Sequence, residues 1–130
     1  MGMDIELLIK KVLDCALNVR KVLNTGFLEK VYERALMIEL ESAGLFAICQ
    51  QPIEIRYKGR IIGEYVADIV VENCLILEIK AVENIIEAHE VQLVNYLTAT
   101  GIDNGLVINF GNPNKIQIKR KYRIYQSTSY

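Results

Sequence analysis

Between Tyr65 and Val82 the chain reads YVADIVVENCLILEIKAV, two short apolar runs rich in Val and Ile that meet at Glu72-Asn73. Such runs, broken by polar residues, predict two paired strands. The rest of the chain has to be read around this hairpin, because it carries three ionisable groups where a sheet wants none: Asp68, Glu78 and Lys80. Charged side chains are almost never fully buried unless they are paired or bound to a cation. Residues two apart on a strand share a face, so Glu78 and Lys80 point the same way as Ile76. Two carboxylates and a lysine on a rigid sheet suit a divalent cation and a phosphoryl oxygen.

Register decides whether Asp68 can join Glu78. A two-residue turn at Glu72-Asn73 places Asp68 opposite Leu77 and turns Glu78 to the other face. A three-residue loop, Glu72-Asn73-Cys74, sets Asp68 opposite Glu78 with β-carbons about 5 Å apart. A shared cation therefore requires an odd loop, or a bulge that restores the parity. Typical partners for Mg²⁺ would be Asp68, Glu78 and a backbone carbonyl near Ile79, with several waters kept. Lys80 would stabilise developing negative charge or orient the attacking water. The plain alternative is an Asp at a strand end and a Glu-Lys pair on an exposed sheet face.

The flanking segments predict an order ααβββαββ. Apolar residues from Ile5 to Leu23 recur at helical spacing, with Asp4 as N-cap and Asn24-Thr25-Gly26 as the stop. A second helix spans about 27–43, its apolar stripe drawn from Leu28, Val31, Ala35 and Ile38, joined by Tyr32, Leu36 and Leu40. Glu29 borders that stripe. Strands follow over 51–57, 61–71 and 75–80. Asn84 and Glu87 have capping-box spacing for a helix reaching Thr100 and closing at Gly101. On it Ile86, Leu93 and Leu97 form the buried stripe, with His89, Gln92 and Tyr96 on a polar shoulder that would overhang the carboxylates. The plain alternative for that shoulder is a polar boundary with Tyr96 half buried. Strands over 106–110 and 116–125 complete an α/β (α+β mixed) fold. The third helix is long enough to join parallel strands, and the first three strands should form an antiparallel meander.

The length of 130 residues predicts one domain, 1–130. No apolar run approaches the roughly 18 residues of a bilayer span, and no signal-peptide layout opens the chain. The expectation is a cytoplasmic protein with no membrane partner. Three widely spaced cysteines and one histidine argue against a soft-ligand zinc site or a disulfide framework, and the cysteines read as small core residues. The net charge of −1 hides an asymmetry. Lys115, Lys119, Arg120, Lys121 and Arg123 face no acidic residue after position 114, which leaves the first 114 residues with ten basic and sixteen acidic side chains. Such an edge either contacts a polyanion or discourages strand pairing.

Gly26-Phe27-Leu28-Glu29-Lys30-Val31-Tyr32 resembles the signature of the GxxExxY protein family. ERALMIEL, QQPIEIRYKG, ADIVVENCLILEIKAVE, HEVQLVNYL and GLVINFG are similar to that family in the same order, over about Leu13 to Arg123. An LGPG-like turn often precedes the signature in family members, and here it reads Leu23-Asn24-Thr25-Gly26. The family is placed in the PD-(D/E)XK nuclease superfamily, so the resemblance implies a restriction-endonuclease-like core. It implies that Glu29, Asp68 and Glu78 are metal ligands for Mg²⁺ or Mn²⁺, and that Asp68, Glu78, Lys80, Gln92 and Tyr96 are catalytic. Gln92 and Tyr96 match the Q-x-x-x-Y of the RecB-like branch.

Two functions stand on these residues. The first is a Mg²⁺-dependent nuclease acting on DNA or RNA, with the basic strand (Lys115, Lys119, Arg120, Lys121, Arg123) on backbone phosphates. The second is a non-catalytic nucleic-acid-binding or protein-assembly module that keeps the fold. The acidic body favours the second, and a homodimer or a protein partner would then supply the missing positive surface.

Overall fold

The computed structural model describes residues 3–124. Its elements run α1 (Ile5–Leu23), α2 (Glu29–Ser42), β1 (Ala47–Tyr57), β2 (Arg60–Val71), β3 (Leu75–Lys80), α3 (Glu87–Thr100), β4 (Asn104–Asn109) and β5 (Gln117–Tyr122). The order is the expected ααβββαββ. One five-stranded sheet keeps sequence order, β1-β2-β3-β4-β5. Every neighbouring pair is antiparallel except β3 with β4, which α3 joins as a parallel pair.

The strands bury two faces. Ile69, Val71, Leu75, Leu77, Ile79, Leu106 and Ile108 pack with Leu8, Val12, Ala16 and Val19 of α1 and with Tyr32, Leu36 and Leu40 of α2. Val70, Ile76 and Val107 point the other way, against Leu93, Tyr96 and Leu97 of α3. Four aliphatic residues of β3 (Leu75, Ile76, Leu77 and Ile79) are fully buried, each contributing roughly 1.5–3 kcal/mol by leaving water. That burial holds Glu78 in place despite its charge.

Several boundaries differ from expectation, each for a local reason. Helix α2 begins at Glu29, because Gly26 (φ 110) and Asn24 (φ 56) carry the chain through a left-handed turn. Its buried face is Tyr32, Glu33, Leu36 and Leu40, while Leu28, Val31 and Ile38 are exposed. Helix α3 starts at Glu87 with Ile86 at its N-cap. Asn84 does not cap it. Instead Ile86 N–H donates to His89 Nδ1 at 3.2 Å, and Ile86 is exposed rather than part of the stripe. Of the cysteines, Cys15 is buried, Cys74 half-buried and Cys49 exposed on the edge strand β1. Strand β5 ends at Tyr122, and the expected end at Tyr125 lies outside the described residues. Among the described residues no helix is long and apolar enough to cross a membrane.

Candidate active site

The β2–β3 hairpin is closed by the three-residue loop Glu72-Asn73-Cys74, in which Glu72 (φ 51) and Asn73 (φ 57) adopt left-handed backbone. The register Val71↔Leu75, Val70↔Ile76, Ile69↔Leu77 follows. One step further, Asp68 stands opposite Glu78, and there the ladder stops. Asp68 N–H donates to Glu78 Oε2 at 2.9 Å, and Ile79 N–H donates to Asp68 Oδ2 at 2.7 Å. Each carboxylate thus satisfies a backbone donor where the strands part, while β2 continues with β1 alone. The result is a fork with two acidic side chains at its apex.

The neighbouring strand β1 is irregular at the same level. Gln50, between the pairs Cys49↔Ile69 and Gln51↔Ala67, has φ 55. Strand alternation slips at this point: Val70 and Ala67, three residues apart, pack in the same cluster under α3. Left-handed backbone turns the Gln50 side chain to α2, where Nε2 donates to Glu33 Oε1 at 2.7 Å. Glu33 is only 5% exposed and also receives Lys30 Nζ at 3.2 Å.

Charge couples these elements. Burial above all, and then the Asp68 carboxylate, pushes Glu78 up to about 8, with Asp68 N–H and Lys80 pulling the other way. Asp68 is raised by burial and by Glu33, against Ile79 N–H, Lys80 and Lys30. Glu29, at the start of α2, is raised by burial and by Asp68 and Glu33, against Lys80 and Lys30. Three carboxyls raised together, by burial first and by neighbouring carboxylates second, mark a place where carboxylates are partly withdrawn from water close to one another. From α3, Tyr96 is buried, hydrogen-bonds Gln92, and is pushed up to about 12 by burial and by the Glu78 and Asp68 charges. His89 is lowered by burial and by Lys80.

The donor set suits a hard divalent cation. Asp68 Oδ1 and Glu78 Oε1 accept no hydrogen bond from the described residues, whereas their partner oxygens are occupied. Oxygen donors with a deficit of positive charge are what Mg²⁺ or Mn²⁺ requires. Among the described residues, however, no three His, Cys, Asp or Glu side chains gather closely enough to hold a metal between them. Glu29 therefore does not complete a ready triad with Asp68 and Glu78; its link to them is electrostatic.

The turn before α2 and the first turns of that helix divide the labour. Gly26 supplies the left-handed turn. Tyr32, fully buried, donates its hydroxyl to Asn24 O at 2.6 Å, accepts from Phe27 N–H at 3.3 Å and stacks on Phe110 at 4.9 Å. Glu29, exposed at the start of α2, lies near enough to feel the Lys80 and Asp68 charges. Behind Lys80, buried Asn109 holds the chain: its Oδ1 accepts from Val82 N–H and its Nδ2 donates to Val82 O and Gln117 Oε1.

The basic strand is less available than its sequence suggests. Arg120 pairs with Glu6 at 2.8 Å, Lys121 with Glu90 at 3.2 Å and Arg123 with Asp103 at 2.9 Å. Lys119 is exposed and lies in line with Glu78 across Val107, on the same sheet face. Lys115 is exposed in the β4–β5 turn. Sequence reading passed over Glu33, Gln50 and Asn109. Glu33 had a signal, since it follows Glu29 by one helical turn; so did Asn109, an amide set within the apolar run Leu106–Phe110. The backbone of Gln50 had none.

A family model described as the PD-(D/E)XK nuclease superfamily matches residues 6–121 of the sequence. A solved structure titled "Crystal structure of SSO0001" is similar in fold over 75% of this chain, with a TM-score of 0.61 and 18% identity. This chain spans 50% of that protein. No curated protein matches the chain in sequence.

Proposed function

Because the chain belongs to the PD-(D/E)XK nuclease superfamily, we propose that it is a divalent-metal-dependent nuclease cutting phosphodiester bonds of DNA or RNA at the β2–β3 fork. Within the superfamily, the Gly26–Glu29–Tyr32 signature supports assignment to the GxxExxY type. The observation that carries the reading is the pair of bonds that sets the two carboxylates at the apex, Asp68 N–H to Glu78 Oε2 and Ile79 N–H to Asp68 Oδ2, with Lys80 two residues on from Glu78 along the same face.

Asp68 and Glu78 would hold Mg²⁺ or Mn²⁺ through their free oxygens, with a backbone carbonyl near Ile79 and water completing the shell; Glu29 adds negative charge nearby. When bound, the metal supplies Lewis-acid polarisation of a phosphoryl oxygen and a more acidic water. Lys80, half-buried on β3, is a fixed ammonium that orients the attacking water and offsets charge developing on the phosphate. Tyr96 keeps its proton at neutral pH and offers a hydroxyl positioned by Gln92. Lys119 offers a phosphate contact on the same face.

A second reading has one observation in its favour. Three of the five basic residues near β5 are spent on internal ion pairs, which leaves a weak electrostatic attraction for polyanions. A binding or assembly module that keeps the fold would suit that surface, with a second copy or another protein supplying positive charge. Labelled DNA and RNA incubated with Mg²⁺ or Mn²⁺ separate the two. Cleavage by the wild type, lost in Lys80→Ala and Asp68→Ala with circular dichroism unchanged, supports the nuclease. Equal cleavage by all three proteins refutes it and indicates a contaminating enzyme.

A further inference from the structure

A groove of about 1000 Å³ runs between α3 and the β1–β2 hairpin, and Tyr65, Tyr96, Ile55, Val91 and Gln92 are among its walls. Tyr65 rises from β2 with 50% of its surface exposed. Its ring lies 5.7 Å from that of Tyr96, tilted by 44°. Tyr96 in turn packs in one cluster with Ala67, Val70 and Ile76, which flank Asp68 and Glu78 along β2 and β3, and it feels both charges. The aromatic pair therefore stands between the groove and the fork.

The chemistry of the walls narrows what fits. An exposed aromatic face over an aliphatic floor, with Gln92 and Asn95 amides at the side, matches the face and polar edge of a nucleobase. Glu54 and Glu87 line the same groove, and Arg56 is engaged by Glu54 at 3.5 Å and by Gly59 O at 3.3 Å. No free cation is offered here to the paired phosphate rails of a duplex, which carry one charge per roughly 1.7 Å. A single strand brings less charge and leaves its bases unpaired.

We propose that this groove seats an unpaired base of a single-stranded nucleic acid, stacked on Tyr65, while an adjoining phosphate lies at Asp68, Glu78 and Lys80. The second half of the statement rests on the nuclease reading; the first does not.

The test uses a short labelled single strand and a duplex of the same sequence. Binding is read by fluorescence anisotropy with Mg²⁺ on a Lys80→Ala background, so that the strands stay uncut, and cleavage is read on the wild-type background. Tyr65→Ala should weaken single-strand binding roughly 5- to 150-fold, the loss of one base–aromatic stack, whereas Tyr65→Phe and Tyr65→Trp should stay within about threefold of the parent. Duplex binding should be weaker and indifferent to Tyr65. Single-strand binding unchanged in Tyr65→Ala, or a duplex bound at least as tightly, overturns the proposal. If that happens while Lys80-dependent cleavage persists, the nuclease stands and the base groove falls. If binding follows Tyr65 but no Lys80-dependent cleavage occurs, the nuclease falls and a single-strand-binding groove stands.

Discussion

Replacing Glu78 by Gln separates what the fork needs for folding from what it needs for chemistry. Without metal, the Glu78 carboxyl titrates at about 8 in the folded protein, against 4.5 for the free group. The folded state thus binds a proton more tightly than the unfolded chain does. Stability consequently falls as pH rises from about 4.5 to 8, and the whole penalty is present above the folded value. At about 1.4 kcal/mol per pKa unit, the cost is on the order of 3 kcal/mol at pH 7 and under about 1 kcal/mol at pH 5. Gln is neutral throughout, and its carbonyl oxygen can still accept Asp68 N–H. Glu78→Gln should therefore be the more stable protein at pH 7–8, by about 10 °C in Tm, with little difference at pH 5. Thermal denaturation followed by circular dichroism in EDTA, at a series of pH values, measures the gap. Mn²⁺ should raise the Tm of the wild type and leave that of Glu78→Gln nearly unchanged, because only the carboxylate favours the cation. A gap independent of pH, or a variant less stable than wild type at pH 8, refutes the account of the fork.

Three further outcomes follow from the packing behind the site. A β-carbon added at Gly111 would sit 2.5 Å from the backbone of Ala81 and Val82; Gly111→Ala should cost on the order of 3 kcal/mol in urea denaturation and reduce activity by displacing the segment after Lys80. Asn109→Ala strips the partners of Val82 N–H and O and of Gly111 N–H, and should cost about 3 kcal/mol by the same measurement. Tyr32→Phe keeps the stack on Phe110 but loses the hydroxyl bond to Asn24 O, so calorimetry should show a loss of about 1 kcal/mol.

Much of this architecture follows from local pattern. The period of Leu8, Val12, Ala16 and Val19 is helical whatever surrounds it, and the short apolar run Leu75-Ile76-Leu77, resumed at Ile79 after Glu78, reads as a buried strand. The order of elements, the antiparallel meander of the first three strands and the parallel crossover through α3 were readable for that reason. Errors gathered where backbone conformation outweighs side-chain character. Phe27 and Leu28 look helical, yet Gly26 and Asn24 bend the chain before α2 starts. Asn84 looks like a cap, but its side chain is taken by Asn112 and Gln117 from the β4–β5 region.

For the fork, the division is sharper. The residues themselves determined that Asp68, Glu78 and Lys80 needed an explanation, because charges in an apolar hairpin demand partners. They also reduced that explanation to the parity of one loop. Only the folded structure decided the parity, through the three-residue loop with left-handed Glu72 and Asn73, since two- and three-residue turns are both open to this sequence. The same packing decided which charges stay available. Arg120 looks like a phosphate contact in sequence, but folding brings Glu6 to it across more than a hundred residues. Which ion pairs form depends on through-space distance, and local sequence carries no record of that.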